Sequence, residues 1–416
     1  MLSLRPARIV TKIRYTIYLH NIHIPMKRNR QPRRAKTTKD TESIIHLATQ
    51  LSASSSRLEM AFWESKLIAV LNRLLGNQDE ESLMASLEHL YNAQNPMAYD
   101  DLADMIEFCA ESICNDSITG FDSVLIAIPV LAWSRFPIPS GQIPPTLLEL
   151  IRAHLSAHVL AKETKLGLAD VIFSPDQLPQ NYSDTSSLTN KINKAALHGR
   201  DFKIDLSKLP ETISFFSDTR YVIGVVTAKA GSSLFRWQEA DGDSTEAFRQ
   251  WSQHGGDAIR TLLPTCAIEL LPVLAYHAGV RDADRASRPW SIRAAIAFLQ
   301  TMLNLFASDL TAVVASFSDR QMDEFRIGFS ANGSSDVVHG IVWPLLDRED
   351  DDAETPAQIE AILNEAGVKD VRLLDQRFPM EFCDDCGAPF YPNTKGEAVH
   401  AELPEDQANT PAHVLH

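Results

Sequence analysis

From Thr41 onward apolar residues recur every three or four positions, and the spacing predicts a succession of amphipathic helices as far as about Leu197. Ser56-Arg57-Leu58-Glu59 has the form of a capping box. Leu58, Phe62, Leu67, Leu71 and Leu74 then mark one buried face until Gly76 stops the helix. Further helices are expected over about Asp79–Tyr91, Asp100–Ile113, Thr146–Leu166 and Thr185–Leu197. The run Val124–Trp133 is apolar throughout and contains Pro129, so it reads equally as a kinked buried helix or a buried strand. Pro137, Pro139, Pro144 and Pro145 make a rigid connector before the next helix.

The texture changes between His198 and Ser214. Tyr221–Val226 reads as a buried strand, Leu234–Gln238 as a second and Cys266–Leu271 as a third, with a helix over 244–262 among them. A helix opening at Pro289 carries Ile292, Ile296, Leu299, Leu303 and Phe306 on one face. Thr311–Phe317 precedes a hairpin of Phe325–Ser330 and Val337–Trp343 turned at Asn332-Gly333. The acidic loop Asp347–Glu354, a helix opened by Thr355-Pro356 and a strand at Val371–Leu374 follow. The fold class expected is α+β: a basic arm (1–40), an all-helical domain (41–200), a mixed α+β domain (214–376) and a metal-knuckle tail (377–416).

Composition narrows the class. The 416 residues are 44% hydrophobic and 22% charged, as in a globular protein. Five cysteines do not make a secreted disulfide framework and point to a reducing cytoplasm. The longest apolar run is about half of the roughly 20 residues a spanning helix needs, so no membrane segment is expected. The net charge of −15 hides an asymmetry: eleven Lys and Arg and no acid precede Asp40. The body after that arm is strongly acidic, so contact with nucleic acid would have to use the tract Lys27–Lys39. Residues 1–25 have the basic, acid-free character of a presequence; the plainer reading is that translation starts at Met26.

One stretch has both the residue types and the spacing of a defined chemistry. Cys383-Asp384-Asp385-Cys386-Gly387 can grip a metal ion from a tight turn, and His400 follows at finger-like spacing. The expected cofactor is a structural zinc ion held by Cys383, Cys386 and His400. The fourth ligand comes from His413, His416 or a carboxylate such as Glu402, with the two histidines preferred. Two aspartates between the cysteines oppose thiolate formation, which argues against a redox dithiol. Too few cysteines are present for an iron–sulfur cluster.

Other candidates are weaker. His154 and His158 share a helix face but lack the glutamate of the zinc-protease template, leaving at most a two-histidine half-site. His254-Gly255-Gly256-Asp257 reads as a loop, Cys109, Cys114 and Cys266 as packing or surface thiols, and Phe235-Arg236-Trp237 as a half-buried strand. Neither a Walker A sequence nor a G-x-G-x-x-G turn is present.

The segments Phe62-Trp63-Glu64, Pro129-Val130-Leu131-Ala132-Trp133, Ile138-Pro139-Ser140-Gly141, Phe235-Arg236-Trp237-Gln238-Glu239, Asp323–Phe329 and Gly340–Leu345 resemble a bacterial family designated domain of unknown function 2863. The most specific likeness is Phe382–Pro392 with His400–Asp406 after it. The resemblance implies a bacterial, cytoplasmic protein beginning near Met26, and it implies no activity or catalytic residue. The function expected is therefore a non-catalytic protein with a structural zinc site; its partner is unknown, a protein partner being plausible. Two alternatives stand beside it. One is a hydrolase or transferase with an interdomain site using His254, His277 or His339. The other is a nucleic-acid-associated protein using its arm.

Overall fold

The computed structural model describes residues 38–114, 120–134, 136–212, 217–318, 322–331, 333–346, 354–384 and 387–403. It opens with four helices, α1 (Lys39–Ser52), α2 (Arg57–Gly76), α3 (Glu80–Asn92) and α4 (Pro96–Glu111). Each is started by a side chain that takes an otherwise orphaned N–H: Thr38, Ser56, Asp79 and Asn95 accept from Thr41, Glu59, Ser82 and Ala98. Ile44, Leu51, Leu71, Leu74, Leu87, Leu102 and Ile106 form their core. The face expected for α2 is only half buried, because Leu58 is 88% and Phe62 52% exposed. With 20 residues, α2 is longer than α1, α3 and α4 at 14, 13 and 16, and its buried residues begin only at Leu67. The expected arm meets the described residues only at its end, where Lys39 already lies in α1; residues 1–37 lie outside them.

After β1 (Ser112–Ile113) the ambiguous run proves to be a strand, β2 (Phe121–Trp133). β3 (Gly141–Gln142), α5 (Pro145–His158), β4 (Lys165–Phe173), α6 (Tyr182–Leu197), β5 (Ser217–Lys229), α7 (Ser244–Leu262), β6 (Ala267–Leu270) and β7 (Leu274–Ala275) complete this part. The strands form one sheet in the order β1-β2-β5-β4-β3, with β6 and β7 both on β2. Ile126, Ile128, Val130 and Ala132 face α5 and α7, while Leu125, Ala127 and Leu131 face the opposite core with Ile192 of α6. Both faces of β2 are apolar, so its period of two leaves no trace in the hydropathy. Pro129 is tolerated because its edge of β2 faces the break between β6 and β7, where its carbonyl still accepts the N–H of Leu271.

This sheet overturns the all-helical segment 41–200. β1 to β4 lie inside that segment, and β2 and β4 pair with β5 across the boundary expected near 200–214. The helix expected over Thr146–Leu166 ends at His158. The strand expected over Leu234–Gln238 is a turn in which the Gln238 carboxamide accepts the N–H groups of Leu234 and Phe235. The rings of Phe235 and Trp237 stack there at 4.6 Å.

The helix expected to open at Pro289 begins earlier, as α8 (Tyr276–Leu303), with Pro289 inside it. Its first half packs under the first sheet through Tyr276 and Ala283. Its second half packs through Ile292, Ile296 and Leu299 under another sheet. Phe306 falls beyond the helix end and is 75% exposed. That second sheet comprises β8 (Leu310–Ser318), β9 (Met322–Ala331), β10 (Val337–Pro344) and, after α9 (Glu354–Glu365), β11 (Asp370–Pro379). Its order is β10-β9-β8-β11, antiparallel except that β11 runs parallel to β8. The alternation expected of β9 holds: Phe325, Ile327 and Phe329 enter the core with α8 and α9. Its partner is β10, and Gly333 in the connection has φ +86°, while Asn332 lies outside the described residues. The α+β class is thus observed, and none of the described helices is long and apolar enough to cross a membrane.

Candidate metal centre

The positions of β9 that turn away from the helices receive the C-terminal tail. Arg326 is wholly buried there. Its Nε donates to Glu324 at 2.6 Å, and its Nη1 donates to the carbonyls of Glu381 and Phe390, each at 2.8 Å. The guanidinium lies between two aromatic faces, Phe317 at 4.2 Å and Phe382 at 4.9 Å. One residue further on the same face, Gly328 pairs with Gly340 of β10. A Cβ on Gly328 would lie 2.2 Å from the carbonyl oxygen of Pro392, and one on Gly340 2.3 Å from the ring of Tyr391. The two glycines open a trough that β12 (Tyr391–Pro392) fills. Burial there pushes the Tyr391 phenol above its ordinary range.

The cysteine turn grows from this anchored strand. The N–H of Cys383 donates to Ala388 O at 2.8 Å, and that of Phe390 to Glu381 O at 3.3 Å. The N–H of Gly387 returns to the Cys383 carbonyl at 2.8 Å, with Gly387 at φ +73° as a knuckle requires. Beyond it, β12 pairs with β13 (Ala398–Val399) through a turn in which Asn393 Oδ1 accepts the N–H groups of Lys395 and Glu397. Tyr391 pairs with Val399, so His400 leaves the hairpin beside Phe390, the residue after the knuckle's closing bridge Phe382–Pro389. His400 Nδ1 sits 3.4 Å from Glu402, whose own N–H donates to Val337 O.

Of the expected ligands, Cys383, His400 and Glu402 are among the described residues: Cys383 precedes β12, and His400 and Glu402 follow β13. Cys386, His413 and His416 lie outside them. Among the described residues no group of three His, Cys, Asp or Glu is arranged to hold a metal.

The histidines weighed for an enzyme do not share a site. His254 is helical, in α7, and stacks on His158 of α5. His339 of β10 lies against Phe298 at 5.6 Å. His277 is the second residue of α8, and its backbone N–H donates to Glu111 of α4 at 2.8 Å. Burial raises the Glu111 carboxyl to about 7, and it lowers the His277 imidazole to about 3. One turn along both helices, Arg281 meets the buried Glu107 at 2.6 Å. Sequence reading missed this polar joint and Arg326. The glycines at 328 and 340, isolated within strand patterns, were the available signal that a backbone approaches that face.

A family model described as "Protein of unknown function (DUF2863)" matches residues 29–414, nearly the whole chain. The chain belongs to that family. No curated protein and no solved structure matches it.

Proposed function

We propose that this member of the DUF2863 family is a non-catalytic, cytoplasmic bacterial protein whose C-terminal tail carries a structural zinc ion. Cys383, Cys386 and His400 are the ligands, and His413, His416 or Glu402 supplies the fourth. The observation that carries the reading is the turn itself: the Gly387 N–H closes on the Cys383 carbonyl with Gly387 left-handed, directly after the one CxxC motif of the chain. Arg326 and the glycine trough dock the tail through contacts that involve no ligand residue. Zinc would fix the 383–387 loop against the hairpin that presents His400. Cys109, Cys114 and Cys266 form no disulfide, which supports a reducing compartment.

Metal analysis of the purified protein tests the proposal, with Cys383→Ser/Cys386→Ser as control. About one equivalent of zinc, lost in the double variant, is expected; less than about a tenth of an equivalent in both removes the proposal. Deleting residues 407–416 without loss of zinc would remove both terminal histidines from the ligand set.

One observation favours a second reading, an interdomain hydrolase or transferase. Glu111 accepts the backbone N–H of His277, and burial raises the carboxyl to about 7 and lowers the imidazole to about 3, two perturbed groups at one joint of α4 and α8. Turnover of ester or phosphoester substrates that Glu111→Gln abolishes would support it. Turnover unchanged in that variant would eliminate it.

A further inference from the structure

The outward side of α2 carries a strip that nothing among the described residues covers. Leu58, Ala61, Phe62, Ser65 and Ala69 are all exposed. At about 100° per residue they fall within a sector of about 100°, and no charged residue enters it. Leu58 is the most exposed large apolar side chain among the described residues, and Phe62 stands one turn further along. We infer that this strip is the interface of a homodimer. In it α2 packs antiparallel against α2 of a second copy, about a two-fold axis level with the step from Phe62 to Trp63.

Charge selects a second copy as the occupant. Glu59 and Lys66 stand on the same flank of α2, each about 80–100° round from Leu58 and about 10 Å apart along the axis. In an antiparallel pair like flanks meet. The two-fold therefore sets Glu59 level with Lys66 of the second copy, and Lys66 level with the Glu59 of that copy. One helix sequence thus supplies both ion pairs, which is what self-recognition requires. Both side chains are already placed at the edge of the strip: Glu59 Oε2 accepts from the N–H and hydroxyl of Ser55, and the Lys66 ammonium lies 5.6 Å from the Phe62 ring. Arg57 and Glu64 fall on the other flank.

Packing agrees with that register. Leu58 comes level with the gap between Ser65 and Ala69 of the second copy, whose small side chains leave a hollow for it. Phe62 meets its own counterpart beside the axis. The ring is held edge-on to Trp63 at 4.9 Å, and Trp63 edge-on to His46 at 6.1 Å, so docking orders little that is not ordered already. The Ser65 hydroxyl donates to the Phe62 carbonyl at 2.7 Å and can be covered without stranding a donor. Contact from Arg57 to Ala69 spans about 18 Å of helix, at the small end of specific interfaces. The core does not depend on it, because the buried residues of α2 begin at Leu67. The assembly is a pair of folded protomers that separate on dilution, closed at two copies by its symmetry.

Sedimentation equilibrium of the full-length protein over about 1–200 µM is the test. A reversible monomer–dimer equilibrium with a micromolar dissociation constant is expected. Leu58→Ser/Phe62→Ser should weaken it at least about tenfold, with the circular dichroism spectrum unchanged. Lys66→Glu should also weaken it, since two carboxylates then face each other, and adding Glu59→Lys should strengthen it again because each ion pair re-forms in reverse. A monomer at every concentration, a dimer that survives the double serine variant, or a Lys66→Glu loss that Glu59→Lys only deepens overturns the inference. A monomer that dimerises once residues 1–37 are removed overturns it too, because the arm is then what covers the strip.

Discussion

Replacing Arg326 with methionine isolates what fastens the tail to the second sheet. Methionine keeps much of the apolar volume between Phe317 and Phe382 but removes the charge and all the donors. The buried carboxylate of Glu324 loses its 2.6 Å partner. Stranding one member of a buried ion pair costs about 3–5 kcal/mol. The carbonyls of Glu381 and Phe390 lose 2.8 Å donors as well. Left dry they would add about 1–3 kcal/mol each, but the tail can peel away and give them to water, so this second cost ends once the tail is released. Denaturant unfolding followed by circular dichroism should therefore show a loss of about 3–5 kcal/mol in Arg326→Met. Proteolysis mapped by mass spectrometry should show new cuts confined to 381–403. Adding Glu324→Leu should recover part of the stability, because no charge is then stranded, while the cuts remain. A loss below about 1 kcal/mol with unchanged cleavage would refute the assignment of Arg326 as the anchor.

Two further outcomes follow from the same structure. Glu111 has a folded pKa of about 7, above the ordinary carboxyl value of the unfolded chain, so its stabilising contribution is complete below about pH 4.5 and is lost as pH rises through 7. Glu111→Gln should remove that slope and be more stable than the wild type at pH 8 by about 1–3 kcal/mol; equal stability at pH 8 would contradict the burial of that carboxyl. His277, lowered to about 3, acts in the opposite sense, losing stability as pH falls from 6.5 toward 3, and is common to both proteins in that comparison. Leu58→Ser and Phe62→Ser should each change stability by less than about 0.5 kcal/mol, whereas Leu71→Ala on the same helix should cost about 2–5 kcal/mol, as read from thermal and denaturant midpoints.

What the sequence disclosed depended on how many faces each element buries. α2, α3 and α6 were legible because a helix with one wet side shows its period, and β9 because Phe325, Ile327 and Phe329 alternate with residues of the opposite face. β2 was not, since burial on both faces erases the alternation that separates strand from helix. The same erasure hid the sheet across the 41–200 segment. Leu58 and Phe62 misled in the other direction, as helical spacing cannot show that a helix outlasts its neighbours. Proline misled at 289, where tertiary packing overrides its preference for a first turn. Spacing singles out Cys383 and His400 as candidate ligands because ligand spacing is local, whereas the guanidinium of Arg326 joins segments that only folding brings together.

α8 gives the chain an order of assembly. During synthesis the first sheet is fully made once β7 emerges, but one face still lacks the half of α8 that holds Tyr276 and Ala283. The second half of that helix, with Ile292, Ile296 and Leu299, then hangs from a finished layer with nothing yet to cover it. It is a ready surface on which β8, β9 and β10 can condense as they appear, with Arg288 donating to the Pro344 carbonyl when β10 arrives. A chain ending at Leu303 would thus present a folded body bearing an apolar spur, a form prone to aggregate.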